Sequence, residues 1–462
     1  MTAKNGNRNG TTMNQDQLLS VAESLVAQAA SNEQIEVACS YGRVRSLRVY
    51  EGELENMTTA DNAAIGVRVL ADGREGFASA GSLDPDVVNQ MLSEARENAK
   101  FAEADPHVGI AEPDGVEPVA INLWREEVAT TPVEEKVQIA LDLERGVRSA
   151  DPRITGVRVV SYGDNEGSFA LASTAGIRAS TQATSASVSV QVLAEDGDKT
   201  QTGFGWDGAR RPGDLNIERV IERAVSRTVD LLGATKPATA KVSLVLDPHL
   251  TSTVMGLIAG TLTGDRVIKG RSPFVDRVGE EVATPLLTLV DDATDPESLG
   301  ADSHDGEGLA TRRVPLITDG VLQGFVHDSY TGRRSGHGST GSAVRGTRGL
   351  PSPGVHALAI APGASGNLDD LIAGVDLGVL VFNLAGIHSG VNAISGDFSV
   401  GVEGRMIRNG QLAEPISECT ISSTLQRMLL DTTAVGSDLT HLPSGTSAPS
   451  TVIGDVMLSG AS

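Results

Sequence analysis

The chain reads as an α+β protein in two parts: an N-terminal α+β domain followed by a mostly antiparallel, β-rich C-terminal domain. Three observations predict this. Residues 14–232 mix apolar repeats of helical period with apolar repeats of strand period. Residues 242–462 are mostly short alternating runs bounded by turns. Between them, "GATKPATAK" (233–241) has the composition of a linker.

The elements follow in order. Leu18, Ala22, Leu25 and Ala29 share one face of a helix over 14–30. "QIEVACS" and "RSLRVYEGELE" read as strands, and "AAIGVRVLADGREGFASAG" as a hairpin turning at Asp72-Gly73. A helix capped by Asp84, with Pro85 at its first position, places Val88, Met91, Leu92, Ala95 and Ala99 inward. Thr131-Pro132-Val133-Glu134 fits a capping box opening another. Residues 155–206 form a β-meander, and a helix covers about 214–232. The C-terminal strands include "KVSLVLD", "PLLTLVDD", "RRVPLITDGVLQGFVHD", "VHALAIAPG", "LGVLVFNLAG", "VGVEGRMIRNGQL" and "STVIGDVMLSG". The Gly/Ser/Arg-rich stretch 330–354 reads as a long loop.

Composition narrows the function. Of 462 residues, 52 are glycine and only 3% aromatic, so the cores are expected to be aliphatic and the chain rich in turns. A net charge of −23 argues against direct nucleic-acid binding, which needs clustered Lys and Arg. No run of 18 apolar residues appears, so no membrane-spanning helix is expected. Two distant cysteines, Cys39 and Cys419, make no disulfide framework and suit a reducing compartment. The first residues lack the apolar core of a signal peptide. Residues 1–13 are expected to be a disordered tail, with Met13 an alternative start, and the location cytoplasmic.

Recognisable catalytic motifs are mostly absent. None of the eight histidines (107, 249, 304, 327, 337, 356, 388, 441) lies within three to five residues of another, and none is followed by Glu, so zincin-type motifs are absent. There is no G-x-S-x-G elbow and no phosphate-binding loop. Cys39 and Cys419 sit in strands, as buried thiols or as nucleophiles. "DDATD" (291–295) and "DSHDGEG" (302–308) are solvated loops or a weak cation site. Arg333, Arg334, Arg345 and Arg348 either grip a peptide carboxylate or acidic side chains, or belong to a solvated loop or partner interface. In "AISGDFSVGVEG" (393–404), Gly396, Asp397, Phe398 and Ser399 mark either tight sheet packing or a place where a peptide docks by strand addition.

Several of these stretches resemble one family. "GEGLATRRVPLITDGVLQGFVHDSYTGRRSG", "GDFSVGVEGRMIRNGQLAEPISECTISSTLQRM…VGSD" and "VRVLADGREGFASAG…LDPDVVNQMLSEARENAKFAEAD" are similar, in order, to the TldD/PmbA family, over about residues 15–460. The resemblance implies a heteromeric metallopeptidase that cleaves short or unfolded peptides. In that family the TldD-like branch carries His-Glu-x-x-x-His on a helix and a later Cys, which together hold zinc; the PmbA/TldE-like branch lacks them. Counting back from Gly264-Asp265, the motif positions match Met255, Gly256 and Gly260, and "VGSDLTHLPSGTSAPS" has no Cys. His441 lies nearby. The resemblance therefore implies a non-catalytic PmbA/TldE-like subunit with no cofactor of its own, zinc being held by a TldD-like partner. Its roles are to shape the cavity and help bind substrate. The family's older description as a gyrase modulator is not read as DNA binding, given the charge. Two alternatives stand beside this reading: a standalone homodimeric peptide-binding scaffold, and a peptidase with unrecognised catalytic residues such as Cys419.

Overall fold

The computed structural model describes residues 13–461. The expected tail lies outside the described residues except for Met13, which packs half-buried against the first core.

The N-terminal half runs α1 (Gln15–Val26), β1 (Glu33–Tyr50), β2 (Glu53–Ala71), β3 (Arg74–Ala80), α2 (Pro85–Phe101), α3 (Glu127–Thr130), α4 (Val133–Ala150), β4 (Ile154–Ser173), β5 (Arg178–Asp196), β6 (Lys199–Ala209) and α5 (Ile217–Asp230). Its strands form one antiparallel sheet in the order β3-β2-β1-β4-β5-β6. The two strands expected over 34–55 are joined differently: β1 runs unbroken for 18 residues and turns at Glu51-Gly52, both at positive φ. Alternation decides the layering. Ile35, Val37 and Cys39 face the core under α1 and α2, and Leu47 and Val49, in phase with them, face the core under α4 and α5. All four long helices therefore cover one face. Residues of the opposite phase, Glu36 and Ala38, look toward the C-terminal half.

The five apolar positions of α2 are buried as their spacing requires, and the Asp84 side chain accepts the Asp86 amide. The capping box at Thr131 does not form. Pro132 caps α4 without a side-chain bond, while the Thr131 hydroxyl donates to the Glu127 carbonyl at 2.6 Å, closing α3 instead.

The C-terminal half opens with β7 (Ala240–Leu246), α6 (Pro248–Ala259), α7 (Gly264–Ile268), β8 (Leu289–Asp292), β9 (Arg313–Thr318) and β10 (Val321–Leu322). Then come α8 (Ser329–Ser335), β11 (Ala343–Val344), β12 (Ser352–Pro353), β13 (Leu358–Ile360), α9 (Leu368–Ala373), β14 (Leu377–Ala385) and α10 (Ile387–Gly390). It ends with β15 (Asp397–Arg408), β16 (Gln411–Thr424), α11 (Leu425–Leu430), β17 (Thr432–Val435), β18 (Thr440–His441), β19 (Ser447–Ala448) and β20 (Thr451–Ser459). One sheet has the order β16-β15-β14-β7-β20-β17, and β16 also pairs with β20, so five strands close on themselves. The other has the order β10-β9-β8-β13-β19-β18. Pairing is antiparallel except for β7–β14 and β13–β19, which are parallel. The largest core lies in this half and includes α6.

The 233–241 segment is not a free tether: the Thr235 amide donates to Pro415 O at 3.2 Å and the Ala461 amide to Pro237 O at 2.7 Å. The stretch 330–354 is also more structured than a loop. It contains most of α8, ended by Gly336 in the left-handed conformation, and the β11–β12 pair.

Gly76 illustrates how closely the helices approach the sheet. A Cβ there would overlap the Ala95 carbonyl and the Ala99 amide of α2. Gly76→Val is expected to lower stability by about 3 kcal/mol through overpacking, measured by urea denaturation. Gly213→Ala, an exposed position with open space around it, should change it by less than about 0.5 kcal/mol.

Candidate functional site

Helix α6 leaves β7 through Asp247, whose carboxylate accepts the Leu250 amide at 2.9 Å. Pro248 occupies the first turn, where its missing N–H leaves no bond unmade. On this helix Met255 is fully buried in the large core, while Gly256 and the terminal Gly260 are exposed. Nothing lies within 4 Å of where a Cβ at Gly256 would stand. Zinc takes imidazole, thiolate or carboxylate donors. The family motif positions supply a thioether turned into the core and two residues without side chains, so they do not fit the ion. Among the described residues, no group of three or more His, Cys, Asp and Glu is placed to hold a metal.

The end of α6 is tied to the Arg-rich stretch. Thr263 and Val326 form a bridge, and the Gly264 amide donates to Val326 O at 2.8 Å. Gly264 is required here, because a Cβ would overlap the buried His327 ring. Asp328 then caps α8 by accepting the Thr331 amide at 2.7 Å.

From α8 onward the chain straps the two halves together. Arg333 donates to three carbonyls of the N-terminal half, His107 (2.8 Å), Gly109 (2.7 Å) and Ile110 (3.3 Å). Tyr330 donates to Asp105 at 2.9 Å, and Arg334 to the Tyr330 hydroxyl at 3.2 Å. The Arg345 side chain is 1% exposed and donates to Glu36 at 2.6 Å. Thr347 donates to Ser40 at 2.8 Å, and its carbonyl fills the space that a Cβ on Gly66 would need. Arg333 and Arg345 are therefore structural ties and not free carboxylate grips. Arg334 and Arg348 are exposed. Arg348 lines a cavity of about 570 Å³ on the sheet face, with Ser40, Asp61, Asn62 and Asn165 among its walls.

The 396–399 stretch also divides. Phe398 is buried in the core, and Asp397 and Ser399 point outward. Asp397, Phe398 and Ser399 pair with Thr424, Ser423 and Ser422 of β16. The other edge is occupied too: Val391 bridges Phe398, and the Asn392 amide donates to Asp397 O at 2.8 Å. Gly396, at φ +86°, is packed against Gln426. Of the two readings, tight packing and not an open ladder accounts for these residues.

The remaining candidates are not assembled into chemistry. Burial pushes the Cys39 thiol up to about 12 and that of Cys419 to about 11, which disfavours the thiolate form of both. The Cys419 thiol donates to Val402 O at 3.4 Å. His441 Nδ1 lies 2.8 Å from the Ser447 hydroxyl, on a two-residue strand.

The acidic loops differ from the solvated loops expected of them. Asp291, Asp305 and Glu307 are buried, not solvated. Each serves as an acceptor for backbone amides: Asp291 from His356 and Ala357, Asp305 from Glu307, Leu309 and Ala343, and Glu307 from Ser329. Glu307 lines a polar cavity of about 330 Å³ at the seam with Arg68, Glu75, Asp105, Asp328 and Tyr330. Burial, and then the charges of Glu36, Asp305 and Asp328, push the Glu307 carboxyl up to about 8. On the N-terminal side Glu36 stands directly opposite Arg68 across β1 and β2. A single acid in "QIEVACS" and a single base in "GVRVL", each in an apolar strand, was the sequence signal for this pair.

Comparison with known proteins places this geometry. The chain matches three consecutive family models: PmbA/TldA metallopeptidase domain 1 over 35–99, the central domain over 126–232 and the C-terminal domain over 239–460. The first two share the single N-terminal sheet. Metalloprotease PmbA of Escherichia coli O157:H7 is 27% identical over 420 residues, 91% of each chain. A metalloprotease TldD homolog of Buchnera aphidicola is 27% identical over 392 residues, 82% of this chain and 80% of that one. A Thermotoga maritima protein named as a candidate modulator of a DNA gyrase superposes with a TM-score of 0.85 at 25% identity, covering 95% of this chain and 99% of that one. TldE of Thermococcus kodakarensis gives 0.84 at 24% identity, over 96% and 99%, and supports the fold. The fold is thus that of a metallopeptidase class of two-part α+β proteins. The chain belongs to the PmbA/TldD family.

Two outcomes test the seam. Arg345→Met leaves the Glu36 carboxylate buried with only Arg68 near it, and should cost about 3 kcal/mol in denaturant unfolding. For Glu307, the folded state holds a proton that the unfolded chain releases near 4.5, so its contribution to stability falls as pH rises from 4.5 toward 8. Glu307→Gln keeps an acceptor for Ser329 and should flatten this slope. Thermal melts should show the variant gaining on wild type at pH 8 and losing that gain below pH 5.

Proposed function

We propose that this chain is the non-catalytic, PmbA/TldE-like subunit of a heteromeric zinc metallopeptidase that cleaves short or unfolded peptides in the cytoplasm. The observation that carries the reading is the occupancy of α6 at the motif positions: buried Met255 and the bare glycines Gly256 and Gly260. The helix keeps its cap and its place in the core without a zinc donor or a general base at these positions. Family membership and the metalloprotease names of its relatives supply the reaction class. The zinc and the water it activates belong to a TldD-like partner. This chain contributes cavity wall, and the exposed Arg334 and Arg348 are the arginines placed to meet an acidic side chain or terminal carboxylate of a substrate. The raised thiol of Cys419 weighs against a cysteine peptidase.

The test is to purify this chain alone and together with a TldD-like homologue from the same organism, and to measure bound zinc and cleavage of an unstructured peptide. The expected result is a metal-free, inert single chain and a pair that binds zinc and cuts. Cleavage by the single chain would overturn the reading. A stable, inert homodimer that ignores the homologue would favour a peptide-binding scaffold.

A further inference from the structure

A second cleft lies where α5 and β6 of the N-terminal half meet β14 and the start of α6. Its volume is about 290 Å³, and Phe204, Trp206, Arg223, Arg227, Phe382 and Glu403 are among its walls. Two of its guanidiniums share one carboxylate. Arg223 and Arg227, one turn apart on α5, both bind the same oxygen of Asp247, Arg223 at 3.1 Å. The other Asp247 oxygen accepts the Leu250 amide. One carboxylate thus serves two guanidiniums and a helix cap. The neighbouring Arg219 is already matched by Asp207 at 2.7 Å.

The two arginines are not equivalent. Arg227 also donates to Phe382 O at 3.0 Å and lies over the Phe382 ring, 5.4 Å from its centroid. Among the described residues the Arg223 side chain makes one hydrogen bond, to Asp247, although a guanidinium has five N–H donors. Burial is the main influence on its proton and lowers it to about 10; Asp247 opposes this and Arg227 adds to it. A second anion at Arg223 would relieve the repulsion between the two cations. Around this charge the cleft offers flat apolar surface. Phe204 is 55% exposed, and Trp206 packs edge-on to His249 with centroids 6.3 Å apart. Glu403 is held by Asn383 at 3.0 Å and adds a negative wall, which disfavours a dianion.

We propose that this cleft binds a small monocarboxylate bearing an aromatic group, its carboxylate on Arg223 and its ring against Phe204 and Trp206. The volume suits one capped amino acid, not an extended peptide. The site does not depend on the subunit role proposed above.

The test is isothermal titration calorimetry of the full chain with N-acetyl-L-phenylalanine, with N-acetyl-L-phenylalaninamide and inorganic phosphate as comparisons. Saturable binding of the carboxylate is expected, weakened roughly tenfold or more in the amide and in Arg223→Gln. The substitution leaves Arg227 on Asp247, and a thermal melt checks that the fold is kept. Phe204→Ala, on exposed strand surface, should also weaken binding and reads the ring contact if Arg223→Gln does not fold. Absence of binding, equal binding of the amide, equal binding of phosphate, or unchanged affinity in the folded variants would each overturn the assignment.

Discussion

The two halves of this protein meet around one buried carboxylate. Glu36 is 1% exposed and receives Arg345 from the C-terminal half, with Arg68 of the adjacent strand 3.8 Å away. Arg68 also pairs with Glu75 and donates to Gly109 O, the same loop that Arg333 grips. A buried ion of this kind demands that its partners stay in place, because a charge left alone in a dry interior costs several kcal/mol. Apolar contacts supplement it on the same sheet face, where Ala38, Leu171 and Ile177 pack against Leu309. The rest of the seam, including the 345–350 strap over Gly66, follows from where this charge sits.

That arrangement gives α6 its context. The helix is anchored at its start by Asp247 and two arginines of α5, and at its end by Gly264 against His327. Both anchors tie it to segments that reach the N-terminal half. A glycine pair on the exposed face costs some helix propensity, about 1 kcal/mol per residue relative to alanine. The apolar face, with Val254, Met255 and Ile258 fully buried, offsets that loss by packing. The fold thus holds α6 by its two end anchors and by the packing of its apolar face.

Local patterns were legible in the sequence wherever one element decided the outcome. The five inward residues of α2, the Asp84 cap, the Asp72-Gly73 turn and the alternation of β5 all depend on neighbours a few residues away. What the sequence did not reveal depends on distant partners. The closure of β16 on β20, the Glu36–Arg345 tie and the burial of Asp305 and Glu307 join segments with no local cue. "DSHDGEG" looks hydrophilic because carboxylates usually seek water. Here they meet backbone amides of a tight turn that ends at Gly308, at φ +78°. The arginines misled in the same way, since two of the four are matched within the chain.

The distance along the chain between the partners of that tie also sets a timetable. Arg345 follows Glu36 by 309 residues. At roughly 5–20 residues per second of synthesis, the first partner emerges on the order of 15–60 s before the second. From the completion of α5 at Asp230 until Arg345 emerges, the N-terminal sheet has its helices on one face and nothing on the other. The uncovered face is carried by Glu36, Ser40, Gly42 and Arg68 as much as by alanine and leucine, so it can wait in water without recruiting a chance neighbour. The polar seam therefore gives the first half a face compatible with water until the second is there to cover it.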